Sequence, residues 1–190
     1  MWIKSDGTLW GAGSATKVGS THPSFPSWSS PRQVGTGTDW LSLSTSWAQT
    51  AATKTDGTLW TWGEANYGEL GHNNNAQPYS SPKQVPGTTW GEWVGTSSAA
   101  NVTMNIKTDG TLWAVGYGDW GGLGQNQGGP GYRLSSPIQI PGDWSSPLDM
   151  VSKSIIKSDG TMWTWGNNRY GQLGFNEGSA PSYTKHRSSP

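Results

Sequence analysis

The chain has 190 residues, with twelve Lys plus Arg balanced against twelve Asp plus Glu, no Cys, and a heavy load of 28 Gly and 14 Trp. Balanced charge without a basic run argues against a nucleic-acid backbone or an anionic membrane as the partner. The lack of Cys excludes disulfides, thiolate metal sites and Cys nucleophiles. No apolar run reaches the roughly 18 residues of a membrane helix, and the N-terminus lacks a secretory pattern. The expectation is therefore no membrane insertion and no export signal, with the compartment left open.

In chain order, one heptapeptide returns four times: Lys4-Ser5-Asp6-Gly7-Thr8-Leu9-Trp10, Lys54 to Trp60, Lys107 to Trp113, and Lys157-Ser158-Asp159-Gly160-Thr161-Met162-Trp163. A second marker keeps step, at Ser30-Pro31, Ser81-Pro82, Ser136-Pro137 and Ser189-Pro190. The repeat is about 50 residues, and a fixed period of that size signals a repeat architecture. The units lie near 1–50, 51–103, 104–153 and 154–190, within one domain covering 1–190.

Asp-Gly between two extended runs predicts a β-hairpin with a type I′ turn. In the strand after the turn, Trp60 and Trp62 share one face and Leu59 projects from the other. Apolar residues on both faces predict a sheet sandwiched between two others, and hence a propeller blade. No stretch carries a 3.6-residue apolar period, so the fold class is all-β, a β-propeller of about four blades.

Trp62-Gly63-Glu64-Ala65-Asn66-Tyr67-Gly68-Glu69-Leu70-Gly71 and Trp165 through Gly174 resemble the regulator-of-chromosome-condensation repeat. With the preceding hairpins, the resemblance covers essentially the whole chain. It implies a propeller, usually of seven blades, that serves as a binding platform. Relatives act as a nucleotide exchanger for a small GTPase, a β-lactamase inhibitor, an ultraviolet photoreceptor, and modules of ligases and viral proteins, so the fold alone does not decide function. The first unit lacks the Gly-x-Leu-Gly turn. The third, Val115 through Gly124, reads as longer before it. Four hairpins with three complete units imply a partial ring, completed by further sequence or by other copies.

The loop before each Ser-Pro varies most. Its later copies carry Tyr79, then Tyr132 with Arg133, then Tyr183 with Lys185, His186 and Arg187. Tyr and Arg are common in binding hot spots, which makes Tyr79, Tyr132, Arg133, Tyr183, His186 and Arg187 the candidate partner-binding residues. The repeated Lys reads as a solvated strand end and the repeated Asp as a turn residue. Gly116-x-Gly118-x-x-Gly121 fits a dinucleotide fingerprint only on paper, because no helix follows. The three His have no metal-ligand spacing. No catalytic residue, metal or cofactor is expected.

The first functional expectation is a non-enzymatic interaction module, with a polar composition that suits a virus or phage particle. Its partner would be a protein or other copies of the chain. A small-molecule or glycan ligand is not excluded. The alternative is a regulatory propeller that binds a small GTPase or inhibits an enzyme.

Overall fold

A computed structural model describes residues 1–14, 18–19, 27–46, 49–74, 78–97, 101–149, 154–175, 187 and 190, with 92–97 and 145–149 described as backbone only. The described residues form four antiparallel sheets. Blade one contains β1 (Trp2–Ile3), β2 (Leu9–Ser14) and β3 (Ser27–Gln33). Blade two contains β4 (Trp40–Thr45), β5 (Gln49–Lys54), β6 (Leu59–Gly63) and β7 (Tyr79–Gln84). Blade three contains β8 (Trp90–Ser97), β9 (Val102–Lys107), β10 (Leu112–Tyr117) and β11 (Arg133–Ile140). Blade four contains β12 (Trp144–Asp149), β13 (Ser154–Lys157) and β14 (Met162–Thr164), with Arg187 bridging Gly166.

Strand order within each sheet follows chain order, the meander of a propeller blade. Each Asp-Gly turn joins two strands of one blade. The turn differs from the type I′ expectation. Lys54 donates its N–H to Thr58 O and accepts from Gly57 N, and the other three copies repeat both bonds. Only the Gly has positive φ, +76° to +83° across the four, while no turn Asp does. This is the three-residue hairpin loop, a type I turn closed by a left-handed Gly. The Asp stays right-handed because its carboxylate folds forward onto the Thr two residues on.

Those glycines also join the blades. The carbonyl of Gly7 accepts from Trp40 N (3.1 Å), that of Gly57 from Trp90 N (3.0 Å) and that of Gly110 from Trp144 N (3.1 Å). A Cβ at Gly7 would stand 2.0 Å from Thr38 O, so the neighbouring link passes where a side chain would be.

The apolar core is divided into layers, one at each blade junction. Leu9, Val34, Trp40, Ala52 and Trp62 fill the first, and Ala51, Leu59, Val85 and Trp90 the second. The third holds Met104, Leu112, Leu123, Ile140, Trp144, Ile155 and Trp165. Leu59 and Trp62 of one strand thus serve different layers, as their alternation requires. The loop lengths also differ from the sequence reading. Gly63 to Gly71, Gly116 to Gly124 and Gly166 to Gly174 are the same eight-residue step, so the third unit is not longer. In the first unit Val18 is buried and Gly19 has φ +75°, equal to Gly71, so Val18-Gly19 occupies the Leu-Gly place.

The residue after each Asp-Gly-Thr shows what a neighbouring blade contributes. Leu9, Leu59 and Leu112 are at most 3% exposed, whereas Met162 is 64% exposed. Leu59→Ala should cost about 2–5 kcal/mol and Met162→Ala under about 1 kcal/mol. Urea unfolding of the two variants checks this, and equal losses would show that the blades do not cover one another.

Candidate functional site

Two rims bound the sheets, and they differ in chemistry. One carries the Asp-Gly turns and is nearly identical from blade to blade. Asp56 Oδ1 accepts from Thr58 N (2.9 Å) and from Thr58 Oγ1 (2.6 Å), and Thr58 Oγ1 in turn accepts from Trp60 Nε1 (2.8 Å). The same relay recurs at Asp6, Asp109 and Asp159. The Thr hydroxyl and amide hold all four carboxyls below the usual carboxylate range. Every oxygen of this relay serves the turn.

The repeated Lys is not a solvated strand end. Lys54 Nζ lies 4.9 Å from the ring centroids of both Trp40 and Trp60 and 3.1 Å from Asp39 Oδ1. Lys107 lies between Trp90 (4.6 Å) and Trp113 (4.3 Å), and Lys157 between Trp144 (5.3 Å) and Trp163 (3.9 Å). Lys4 is exposed and has Trp10 at 3.6 Å. Each such contact contributes about 0.5–2 kcal/mol, more as the cation is desolvated. The two rings come from the strands on either side of β5, Trp40 as the cross-strand partner of Lys54 and Trp60 from the same Asp-Gly hairpin, a register the sequence reading did not use.

The opposite rim carries the long loops between the third and fourth strands, and here the blades diverge. Tyr79 pairs with Gly63, Arg133 with Tyr117 and Arg187 with Gly166, so the candidates Tyr79, Arg133 and Arg187 occupy this one rim. Tyr132 lies beside Arg133, its ring filling the space over Gly118. Arg133 and Arg187 are exposed, with the Arg187 guanidinium 5.5 Å from the Phe175 ring. Tyr79 is half-buried, and Lys83 Nζ donates to its hydroxyl (2.8 Å). Tyr183 and His186 lie outside the described residues.

Three aromatic residues that the sequence reading did not select join this rim: Tyr67, Tyr117 and Trp120. The Tyr67 and Tyr117 rings meet across a blade junction with centroids 4.6 Å apart. Tyr117 donates its hydroxyl to Asp119, and that bond, with burial, pushes the phenol up to about 12. Asp119 also accepts from Gly131 N (2.9 Å), tying the loop's two arms together. Tyr67, Trp120 and Tyr170 hold the same place, immediately before Gly68, Gly121 and Gly171. Glu69 accepts from Tyr67 N (2.6 Å) and Gln172 from Tyr170 N (2.8 Å). In blade three that capping position is Gly122, which has no side chain, and Trp120 sits left-handed at φ 61°, ψ 22°. Such a conformation costs a bulky residue about 1–3 kcal/mol. The substitution of Gly for Glu or Gln was the available signal.

A family profile described as "Regulator of chromosome condensation (RCC1) repeat" matches residues 56–106 and 159–190. This chain is built from RCC1-like repeats. The two turns outside the matched segments carry the same relay, so the RCC1-like blades continue through them. The chain is 32% identical over 77 residues to the E3 ubiquitin-protein ligase HERC2 of Homo sapiens and of Mus musculus, a match covering 40% of this chain and 2% of each ligase. It superposes on human WBSCR16 with a TM-score of 0.70 at 19% identity, covering 95% of this chain and 48% of that one. On Prp20p from Saccharomyces cerevisiae the TM-score is 0.75 at 16% identity, covering 96% and 44%. The chain thus spans about half the length of these solved structures, and the likeness establishes an RCC1-like β-propeller fold.

One titration follows from the same rim. His72 Nε2 is 2.9 Å from Thr61 Oγ1, and the ring stands edge-on to Tyr79 at 5.0 Å. Burial first, and then the Lys83 charge, lower its pKa from 6.5 to about 4. The folded protein therefore binds fewer protons than the unfolded chain between those values. Its stabilising contribution is full above pH 6.5 and is lost as pH falls towards 4. Melting temperature should drop between about pH 7.5 and pH 5, and His72→Gln, which keeps a donor but does not titrate, should flatten that drop. An unchanged slope in His72→Gln would assign the acid sensitivity to other groups.

Proposed function

We propose that this RCC1-like chain is a non-catalytic interaction module that recognises a protein partner through the loop rim of blades two to four. The observation that carries this reading is Trp120, held in a strained backbone three residues after Tyr117, in the blade whose Tyr117 stacks on Tyr67 and pairs with Arg133. Strain of this kind persists where surrounding contacts enforce it, and it clusters at binding sites. Trp, Tyr and Arg are the residues that dominate binding energy at protein interfaces.

Of the two partner classes, the regulatory one is preferred: a small GTPase, or an enzyme held inhibited. Prp20p has binding properties to Gsp1p and histones, and yeast RCC1 (Prp20) has been crystallised with Kap60 bound to it. Those partners are all proteins, whereas a role in a virus or phage particle rests on composition alone. The transfer is by fold, at 16–18% identity.

The purified chain should be titrated by biolayer interferometry against small GTPases, nucleotide-free and nucleotide-loaded. Trp120→Asn tolerates the left-handed backbone, so it should hold or raise the melting temperature while weakening binding about ten-fold or more. Arg133→Ala should also weaken binding, and Thr88→Ala on the opposite rim should not. An affinity unmoved by Trp120→Asn and Arg133→Ala would place recognition elsewhere.

A further inference from the structure

An Asp-Gly peptide bond is open to attack by its own side chain, because no Cβ shields the Gly nitrogen. When the Asp carboxyl is in its neutral acid form, that nitrogen can add to Cγ. The N–Cγ bond forms, the carboxyl OH leaves with the nitrogen's proton as water, and a five-membered imide results. Water then reopens the ring at one of two carbonyls. Opening at the side-chain carbonyl restores Asp. Opening at the backbone carbonyl leaves isoaspartate, whose chain runs through the side chain and is one carbon longer.

Every turn of this protein restrains the first step. The attacking nitrogen already donates to a Lys carbonyl, from Gly7 to Lys4, Gly57 to Lys54, Gly110 to Lys107 and Gly160 to Lys157, at 2.9–3.0 Å. The carboxyl is turned onto the Thr two residues on, and those bonds keep it in the unreactive ionised form. Conversion therefore requires the turn to open.

The second hold on the Gly is not shared by all four. The carbonyls of Gly7, Gly57 and Gly110 accept from Trp40, Trp90 and Trp144 of the next blade. The backbone of the link also lies close over these glycines. A Cβ would stand 2.0 Å from Thr38 O at Gly7, 3.2 Å from Thr89 N at Gly57 and 3.7 Å from Trp144 O at Gly110. At Gly160 a Cβ would meet nothing within 4 Å, and among the described residues no amide donates to its carbonyl. Thr8 and Thr58 are buried, whereas Gly160 and Thr161 are exposed. A hairpin whose bonds face solvent and that lacks a neighbour's clamp opens at low free energy. Local sequence does not cause this contrast, because Lys4-Ser5-Asp6-Gly7-Thr8 and Lys157-Ser158-Asp159-Gly160-Thr161 are the same pentapeptide.

We propose that Asp159 is a site of spontaneous covalent modification, converting to isoaspartate through an imide with Gly160, and that the joint between blades protects Asp6, Asp56 and Asp109. The site lies on the rim opposite the protein-binding loops and does not depend on them.

The test holds the folded whole chain warm in mildly acidic buffer. Isoaspartate at each turn is then quantified by peptide mapping with electron-transfer fragmentation. Asp159 should convert about ten-fold or more faster than Asp6, and in urea the two rates should agree. Asp159→Glu, which cannot close a five-membered ring, should remove the signal from that turn alone. Equal rates at Asp6 and Asp159 in the folded chain would overturn the proposal. So would an unconverted Asp159 in the folded chain, or a difference that persists in urea.

Discussion

The hydrogen bond from a Trp N–H that opens one blade to the turn-glycine carbonyl of the blade before it sets the geometry of the chain. It crosses a blade boundary, and it recurs at Gly7, Gly57 and Gly110. It places the first strand of each sheet against the hairpin of its predecessor, and β8 accordingly packs on β4 and β5. With the turn fixed there, the Leu after it points into the next junction and the alternate Trp into the previous one. The layered core and the Lys–Trp stacks both follow from that placement.

The same constraint separates the two rims. On the turn side the Asp, Thr, Trp and Lys of each hairpin are taken up by the relay and the ring contacts. Across the sheet the loops are free of that joint. They are instead anchored by bulge glycines at 63, 116 and 166, with φ between +97° and +121°. Beyond those anchors each blade has its own solution: a Glu cap, a Tyr–Asp clasp, a Gln cap. Identical joints on one side and individual loops on the other make a scaffold whose recognition surface changes without altering its packing.

The blades were legible in the sequence because periodicity and alternation are local. Leu59 and Trp62 report their opposite faces within four residues, and Asp56-Gly57 reports the hairpin. What stayed hidden depends on the register between strands and on contacts between blades. Lys54 looks like an ordinary strand-end charge until Trp40 of another strand arrives over it. Tyr67 and Tyr117 are 50 positions apart and meet only because successive blades stack. The turn type was misread for a different reason: the dipeptide permits two backbone solutions, and the Thr two residues after Asp selects between them. Of the candidate loop residues, Tyr79 and Arg133 open the fourth strand of their blades, Tyr132 immediately precedes it and Arg187 bridges Gly166, while Trp120 on the same rim was passed over. Its peculiarity lies in a missing cap at Gly122, not in its own identity.

That missing cap has an evolutionary corollary. Where Glu69 or Gln172 holds the amide of the preceding aromatic residue, the loop has one stable shape. Where Gly stands, the ring is presented differently although the surrounding sheet is unaltered. A change at this one position in a blade would thus redirect the aromatic ring before it while leaving strand pairing and junction layers undisturbed. Copies of the repeat can in this way diversify what they display one blade at a time.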